Sequence, residues 1–340
     1  MLKMARNVKS IFSRYFIDAM SYMAMGLFSS LIIGLIMSQL SKIPVLSFLA
    51  PFADIISASS PVVGGAIGAS IAVGLKEKPL VIFSCVACGA YGYQVGGPVG
   101  AVIGAVVGGE IGNLVAGRTK VDIVVTPIVT ITSGCFVAGL TGPYIQAFMH
   151  SLGEAINMAT TLHPLPMGIL VAVIVGMVLT APISSAALCI MLNLSGLAAG
   201  AAVVGCSAQM IGFAVASYRE NGFGGLISQG IGTSMLQFAN IMRRPVIWLA
   251  PTLASAVLGP VSTCILKMTN TPTGAGMGTS GLVGQFGAWS AMAGSMDPIL
   301  LLVEIIIMHF VAPALLTLFF DGIFRKLGWV RSGDMKLHQV

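Results

Sequence analysis

Charge is what this sequence has least of. Seventeen Lys or Arg and eleven Asp or Glu make up 8% of 340 residues, against about 25% in a soluble domain. A chain so poor in charge cannot cover itself with a water-facing surface, which excludes an ordinary soluble enzyme or adaptor. Metal-ligand spacing is lacking too. The four histidines are scattered, and the six cysteines (Cys85, Cys88, Cys135, Cys189, Cys206, Cys264) all lie in apolar runs. Cys85 and Cys88 form a CVAC sequence with no second pair, so they read as small packing residues rather than a redox or metal pair. No metal and no cofactor is implied. What remains is apolar: 56% hydrophobic residues, 42 glycines and a mean hydropathy of +0.96.

The apolar runs last about 20 residues, the length of a membrane-crossing helix. They lack the ten-residue alternation of a membrane barrel, and glycine lets helices approach closely in lipid. The expected fold is an all-α polytopic membrane protein, with about ten transmembrane helices and one or two re-entrant or broken segments. Spans are expected near 19–40, 54–75, 80–96, 97–117, 123–148, 167–192, 196–216, 224–241, 246–266 and 299–320.

The net charge of +6 suggests nucleic acid until the basic residues are placed. Lys3, Arg6, Lys9, Arg14, Lys76, Lys78, Arg118, Lys120, Arg243, Arg244, Arg325, Lys326, Arg331 and Lys336 all fall on one side of a ten-span chain, leaving Lys42, Arg219 and Lys267 on the other. The positive-inside rule makes the larger set cytoplasmic. Both termini are then cytoplasmic, and topology rather than a nucleic-acid partner accounts for the charge. Residues 1–18 read as a basic amphipathic helix on the membrane surface, or as an ordinary basic flank, with no cleavable signal peptide. The segment 224–241 is polar for a span, with Ser228, Gln229, Gln237 and Asn240, and a re-entrant element there is the alternative. The glycine patterns at 64–74 and 96–109 hint at a duplicated helix pair.

Two stretches interrupt the apolar pattern in ways lipid does not tolerate unless protein or a cavity surrounds them. In TAPISSAALCIMLN at 180–193, Pro182 breaks a span and Ser184, Ser185 and Asn193 follow. In NTPTGAGMGTSGLVGQ at 270–285, Pro272 and five glycines forbid a continuous helix. Paired broken segments point to a transporter's binding site. Hydroxyl and amide side chains that both donate and accept suit a neutral polyhydroxylated solute. The candidate substrate-binding residues are Pro182, Ser184, Ser185, Asn193, Gln209, Asn270, Thr271, Thr273, Gly276, Thr279, Ser280 and Gln285. The competing reading makes the hydroxyls local helix partners and the glycines packing residues.

Glu110, Glu304 and His309 are ionisable residues inside spans and therefore candidate intramembrane charges. Five residues turn a regular helix by about 140°, so Glu304 and His309 are not expected to share a face. Asp54 and Asp297 read as wetted or helix-capping residues. His150 and His163 are expected to flank an external loop.

The stretches TAPISSAALCIMLNLSGLAAGAAVVGCSAQMIGFAVASYRENG, APTLASAVLGP and NTPTGAGMGTSGLVGQFG resemble the membrane-embedded EIIC component of the bacterial phosphoenolpyruvate-dependent sugar phosphotransferase system. The resemblance runs from about residue 15 to 325. It is nearest to a standalone EIIC-like branch that includes the clostridial toxin-gene regulator, and more distant from fructose-type EIIC. It implies an EIIC-like transmembrane domain over 19–325, followed by a cytoplasmic tail at 326–340, and it implies a homodimer. Fructose-type members carry Gly-Gly-Pro-x-Asn-Lys-Ala-Ala, where Pro182, Ala186 and Ala187 match and Ser184 and Ser185 replace Asn and Lys. They also carry Thr-Glu-Gly-Ala, which aligns with 272–275 and puts Thr273 in place of a sugar-contacting glutamate.

The functional expectation is a permease subunit of EIIC type in the bacterial inner membrane, moving a small polar solute, a sugar. No IIA or IIB domain is present, so any phosphorylation falls to separate IIA and IIB proteins and the chain is not expected to be an enzyme alone. A sensor or regulator without transport, and an ion-coupled carrier, are the alternatives.

Overall fold

The computed structural model describes residues 13–41, 43–57 and 59–337. The basic residues expected in an N-terminal amphipathic helix, Lys3, Arg6 and Lys9, lie outside the described residues; Ser13–Asp18 is helical and leads into the first span.

The described chain is helical, with one isolated backbone bridge between Gly196 and Asn270. In order, the helices are α1 (Ala19–Leu40), α2 (Pro44–Ile55), α3 (Pro61–Gly74), α4 (Pro79–Val115), α5 (Asp122–Thr160), α6 (Pro164–Thr180), α7 (Ser185–Met191), α8 (Gly196–Ala216), α9 (Tyr218–Ile227), α10 (Phe238–Arg243), α11 (Pro245–Leu266), α12 (Pro272–Ala275), α13 (Val283–Met292) and α14 (Pro298–Lys326). Six of them, α1, α4, α5, α8, α11 and α14, are long and apolar enough to cross a bilayer. The exterior is apolar, with Phe83 73%, Tyr144 79% and Ile299 75% exposed, while Gln209 and His309 are fully buried. Oil outside and polar groups inside is the arrangement of a polytopic membrane protein.

The chain divides into two compact units, Met1–Met149 and His150–Val340. In the first, α3 packs on the first half of α4 through glycines. A Cβ on Gly68 would lie 2.2 Å from the Cys85 carbonyl oxygen, and one on Gly89 would lie 2.2 Å from that of Gly64. These small residues are spent on packing within the chain itself. The expected break between spans 80–96 and 97–117 is present: Gly97 adopts φ +60° just before Pro98, and α4 kinks there. Cys85 and Cys88 are free, buried thiols.

In the second unit α8 is the central shaft, buried along most of its length and packed on α6, α11 and α14. Asp297 caps α14, accepting from the Ile299 and Leu300 amides at 2.9 and 3.1 Å. Asp54 is exposed within α2.

Three expectations are corrected. The loop placed between His150 and His163 is helical as far as Thr160, and His150 pairs with Glu154 one turn on at 3.4 Å. The span expected over 224–241 is no single helix. The backbone breaks at Gly222 (φ +61°), turns wider at Ser228–Gly232, extends at Thr233, and re-forms as a tight turn and α10. Glycine and serine supply too little helical preference to carry it through. Third, Glu304 and His309 both point inward. A wide π-helical turn at Ile307–Val311 interrupts α14, and its longer repeat shifts the phase so that both residues are buried.

Candidate functional site

Twelve candidate binding residues all fall in the second unit, and the two broken segments meet there. Helix α6 ends at Thr180, the backbone is extended at Ala181, and α7 begins at Ser185. Pro182, half-buried, sits in this gap with Ser184. Thr271 caps α12, its hydroxyl accepting from the Gly274 amide at 3.2 Å. At the junction the Ser185 hydroxyl donates to the Gly276 carbonyl at 2.6 Å. Gly276 is obligatory, since a Cβ there would lie 2.4 Å from the Ser185 carbonyl oxygen.

Several candidates spend their polar groups on the fold. Asn270, 2% exposed, donates to the Gly284 carbonyl at 3.0 Å and accepts from the Thr271 amide at 2.7 Å. Thr279, fully buried, donates to the Gly230 carbonyl. Gln209 bridges three elements. Its Oε1 accepts from Thr180 Oγ1 at 3.2 Å and Trp248 Nε1 at 3.0 Å, while its Nε2 donates to Thr252 Oγ1 at 3.1 Å.

Others keep capacity for a ligand. Thr271 and Thr273 pair their hydroxyls at 3.1 Å, with Thr273 exposed. Asn193 is exposed in a left-handed conformation (φ +48°). Among the described residues, Ser280 Oγ and Gln285 Oε1 are buried without a partner, a condition that native interiors seldom tolerate without a functional reason. Gln285 also lines an apolar groove of about 260 Å³ with Phe286, Trp289 and Phe310.

The candidate intramembrane charges divide. His309 is fully buried, and its Nδ1 lies 3.0 Å from Gln285 Nε2. Among the described residues neither His309 Nε2 nor Glu304 Oε2 has a hydrogen-bond partner. Glu110, in the first unit, is no isolated charge. Arg14 donates to its Oε1 at 3.0 and 2.7 Å, and Tyr15 does so at 2.8 Å. Arg14 also reaches Glu77 at 3.3 Å. Glu77 escaped the sequence reading, standing between Lys76 and Lys78 where a wetted turn is the obvious inference; its side chain is fully buried. Burial, then the charge of Glu110, pushes the Glu77 carboxyl above the usual glutamate range, against the pull of Arg14 and Lys78.

Among the described residues no cluster of three or more His, Cys, Asp or Glu is arranged to hold a metal ion. The site offers hydroxyls, amides and backbone carbonyls, which recognise neutral polar groups.

No curated protein and no solved structure matches the chain significantly. The family model described as "Phosphotransferase system, EIIC" matches residues 17–337. With nearly the whole chain matched, the protein belongs to the phosphotransferase system EIIC family, as a permease-type subunit of the membrane.

Proposed function

We propose that the protein binds and translocates a small neutral polar solute, a sugar, between the broken segments 180–193 and 270–285. The observation that carries this reading is the junction of the two segments at Ser185 and Gly276, together with buried hydroxyl and amide oxygens on Ser280 and Gln285 of the second segment that have no partner among the described residues. A sugar hydroxyl both donates and accepts, so it complements such oxygens without bringing charge into the membrane. Thr271, Thr273, Ser184 and Asn193 extend the polar lining; Ser185, Gln209, Asn270, Gly276 and Thr279 hold its shape, and Pro182 opens the first break.

In this reading phosphorylation is performed by separate IIA and IIB proteins, which dock where Arg118, Lys120, Arg243 and Arg244 lie. The protein works in the bacterial inner membrane as a homodimer with both termini cytoplasmic. Since the α3–α4 glycines are used within one protomer, the dimer contact involves other surfaces. Aligned on the motifs of fructose-type permeases, Ser184, Ser185 and Thr273 stand where those permeases carry Asn, Lys and Glu. Those substitutions favour a second reading, a sensor that retains the binding fold without transport. The Gln285–His309 pair and Glu304, whose Oε2 has no partner among the described residues, motivate a third, an ion-coupled carrier.

Uptake of labelled sugars in cells separates the three. Uptake that requires phosphoenolpyruvate and the general phosphotransfer proteins supports the permease, and uptake that follows the proton gradient supports the carrier. Absence of both, with altered gene expression on deletion, supports the sensor.

A further inference from the structure

The segment 224–241 is too polar for lipid, and its amides have a destination in the structure. Residues 329–337 fold back onto it. Trp329 stacks on Phe324 at 5.5 Å, and Val330 and Met335 enter an apolar cluster with Phe213, Ile241 and Ile247. Met335 is fully buried. Around it the backbone is read by side-chain amides. Asn221 Nδ2 donates to the Met335 carbonyl at 2.9 Å and Asn221 Oδ1 accepts from the Leu337 amide at 2.8 Å. Glu220 accepts from the Met335 amide at 2.9 Å. Asn240 donates to the Lys336 carbonyl at 3.0 Å and to Gln237 Oε1 at 2.8 Å. Gln237 Nε2 in turn donates to the Met335 carbonyl at 2.9 Å and to Gln229 Oε1 at 2.8 Å. Gln237 and Asn240 thus spend both amide hydrogens, one of each on the 335–336 backbone.

The same segment touches both broken segments from its other side. The Gly230 carbonyl, next to Gln229, accepts from Thr279. Ser234 Oγ lies 2.8 Å from Thr180 Oγ1, at the end of α6. A continuous set of hydrogen bonds therefore leads from Met335 through Gln237 and Gln229 to the element that holds Thr279 and Thr180.

We propose that residues 330–337 are a latch: docked on the Asn221, Gln237 and Asn240 amides, and linked through Gln237 to Gln229, they hold the 228–240 segment in the shape that positions both broken segments, and their release loosens those segments. Release leaves buried amide hydrogens on Gln237 and Asn240 without acceptors, which costs more than the bonds themselves, so the 228–240 segment must rearrange. The functional consequence, control of the solute site by whatever binds or displaces the latch, rests on the function proposed above; the mechanical coupling does not.

Hydrogen–deuterium exchange in detergent micelles, with no solute added, tests the coupling. The full chain is compared with one ending at Gly333 and with full-length Met335→Ala and Asn221→Ser chains. Exchange at 228–240 and at 277–282 is expected to rise by roughly tenfold or more, as for loss of a local protecting contact, while α8 stays protected. If the truncated chain fails to elute as a monodisperse species, the two full-length variants decide. Faster exchange confined to 218–244, or no change anywhere, overturns the proposal. Because no sugar is present, failure here leaves the solute-binding reading standing, and success does not depend on it.

Discussion

Thr273 and Thr279 stand six residues apart in one segment and look interchangeable in the sequence. The fold separates them: Thr273 is exposed, and Thr279 is buried with its hydroxyl on the Gly230 carbonyl. Thr279→Val strands that carbonyl and should lower stability by about 1–3 kcal/mol, read as a lower midpoint of thermal unfolding in detergent. Thr273→Val should leave the midpoint within about 0.5 kcal/mol of wild type while weakening solute binding; equal melting losses in both variants would refute the division. Glycines separate in the same way. Gly68→Ala forces a methyl against the Cys85 carbonyl and should cost about 1–3 kcal/mol, whereas Gly294, with nothing near its absent Cβ, accepts alanine without loss. The sequence marked all of these as polar or small residues at membrane depth. It carried no sign of which oxygen finds a partner across the fold, since that depends on contacts 49 and 91 residues apart.

Elements were legible where one residue dominates. Pro182 ends α6 and the Gly96–Gly97–Pro98 run kinks α4, as local chemistry dictates. They were illegible where a tertiary partner decides. The amides of 228–240 looked like a polar span until residues 335–337 were placed on them. The wide turn at Ile307–Val311 has no signature among its apolar residues, yet it brings Glu304 and His309 to one side. Glu77, in the turn between α3 and α4, makes an element-scale prediction. Its carboxyl holds its proton to higher pH in the folded protein than in the unfolded chain. The native state therefore binds more protons between the ordinary glutamate pKa of about 4.3 and the raised value. Through that window this group removes stability as pH rises, and outside it contributes no slope. Glu77→Gln should flatten the unfolding midpoint against pH relative to wild type while leaving the Arg14–Glu110 pair in place. An unchanged difference between the two proteins from pH ~4 to ~8 would show that Glu77 is not strained.

At the scale of the molecule, scarcity of charge and twenty-residue apolar runs were sufficient for the class, because a chain without a polar surface has one solvent available to it. The family follows from residues 17–337. The assignment of a solute site to the two broken segments is the central claim, and it makes Gln285 the residue to change. Its Oε1 is buried with no partner among the described residues, and its Nε2 lies 3.0 Å from His309 Nδ1, so among those residues its amide bonds no backbone group. The most direct measurement is phosphoenolpyruvate-dependent uptake of labelled sugars by cells expressing wild type or Gln285→Ala at equal membrane levels. The account predicts a sugar that wild type accumulates, with at least roughly tenfold loss in the variant, as for an unpaired buried polar contact to a ligand. Uptake left unchanged by Gln285→Ala would contradict it.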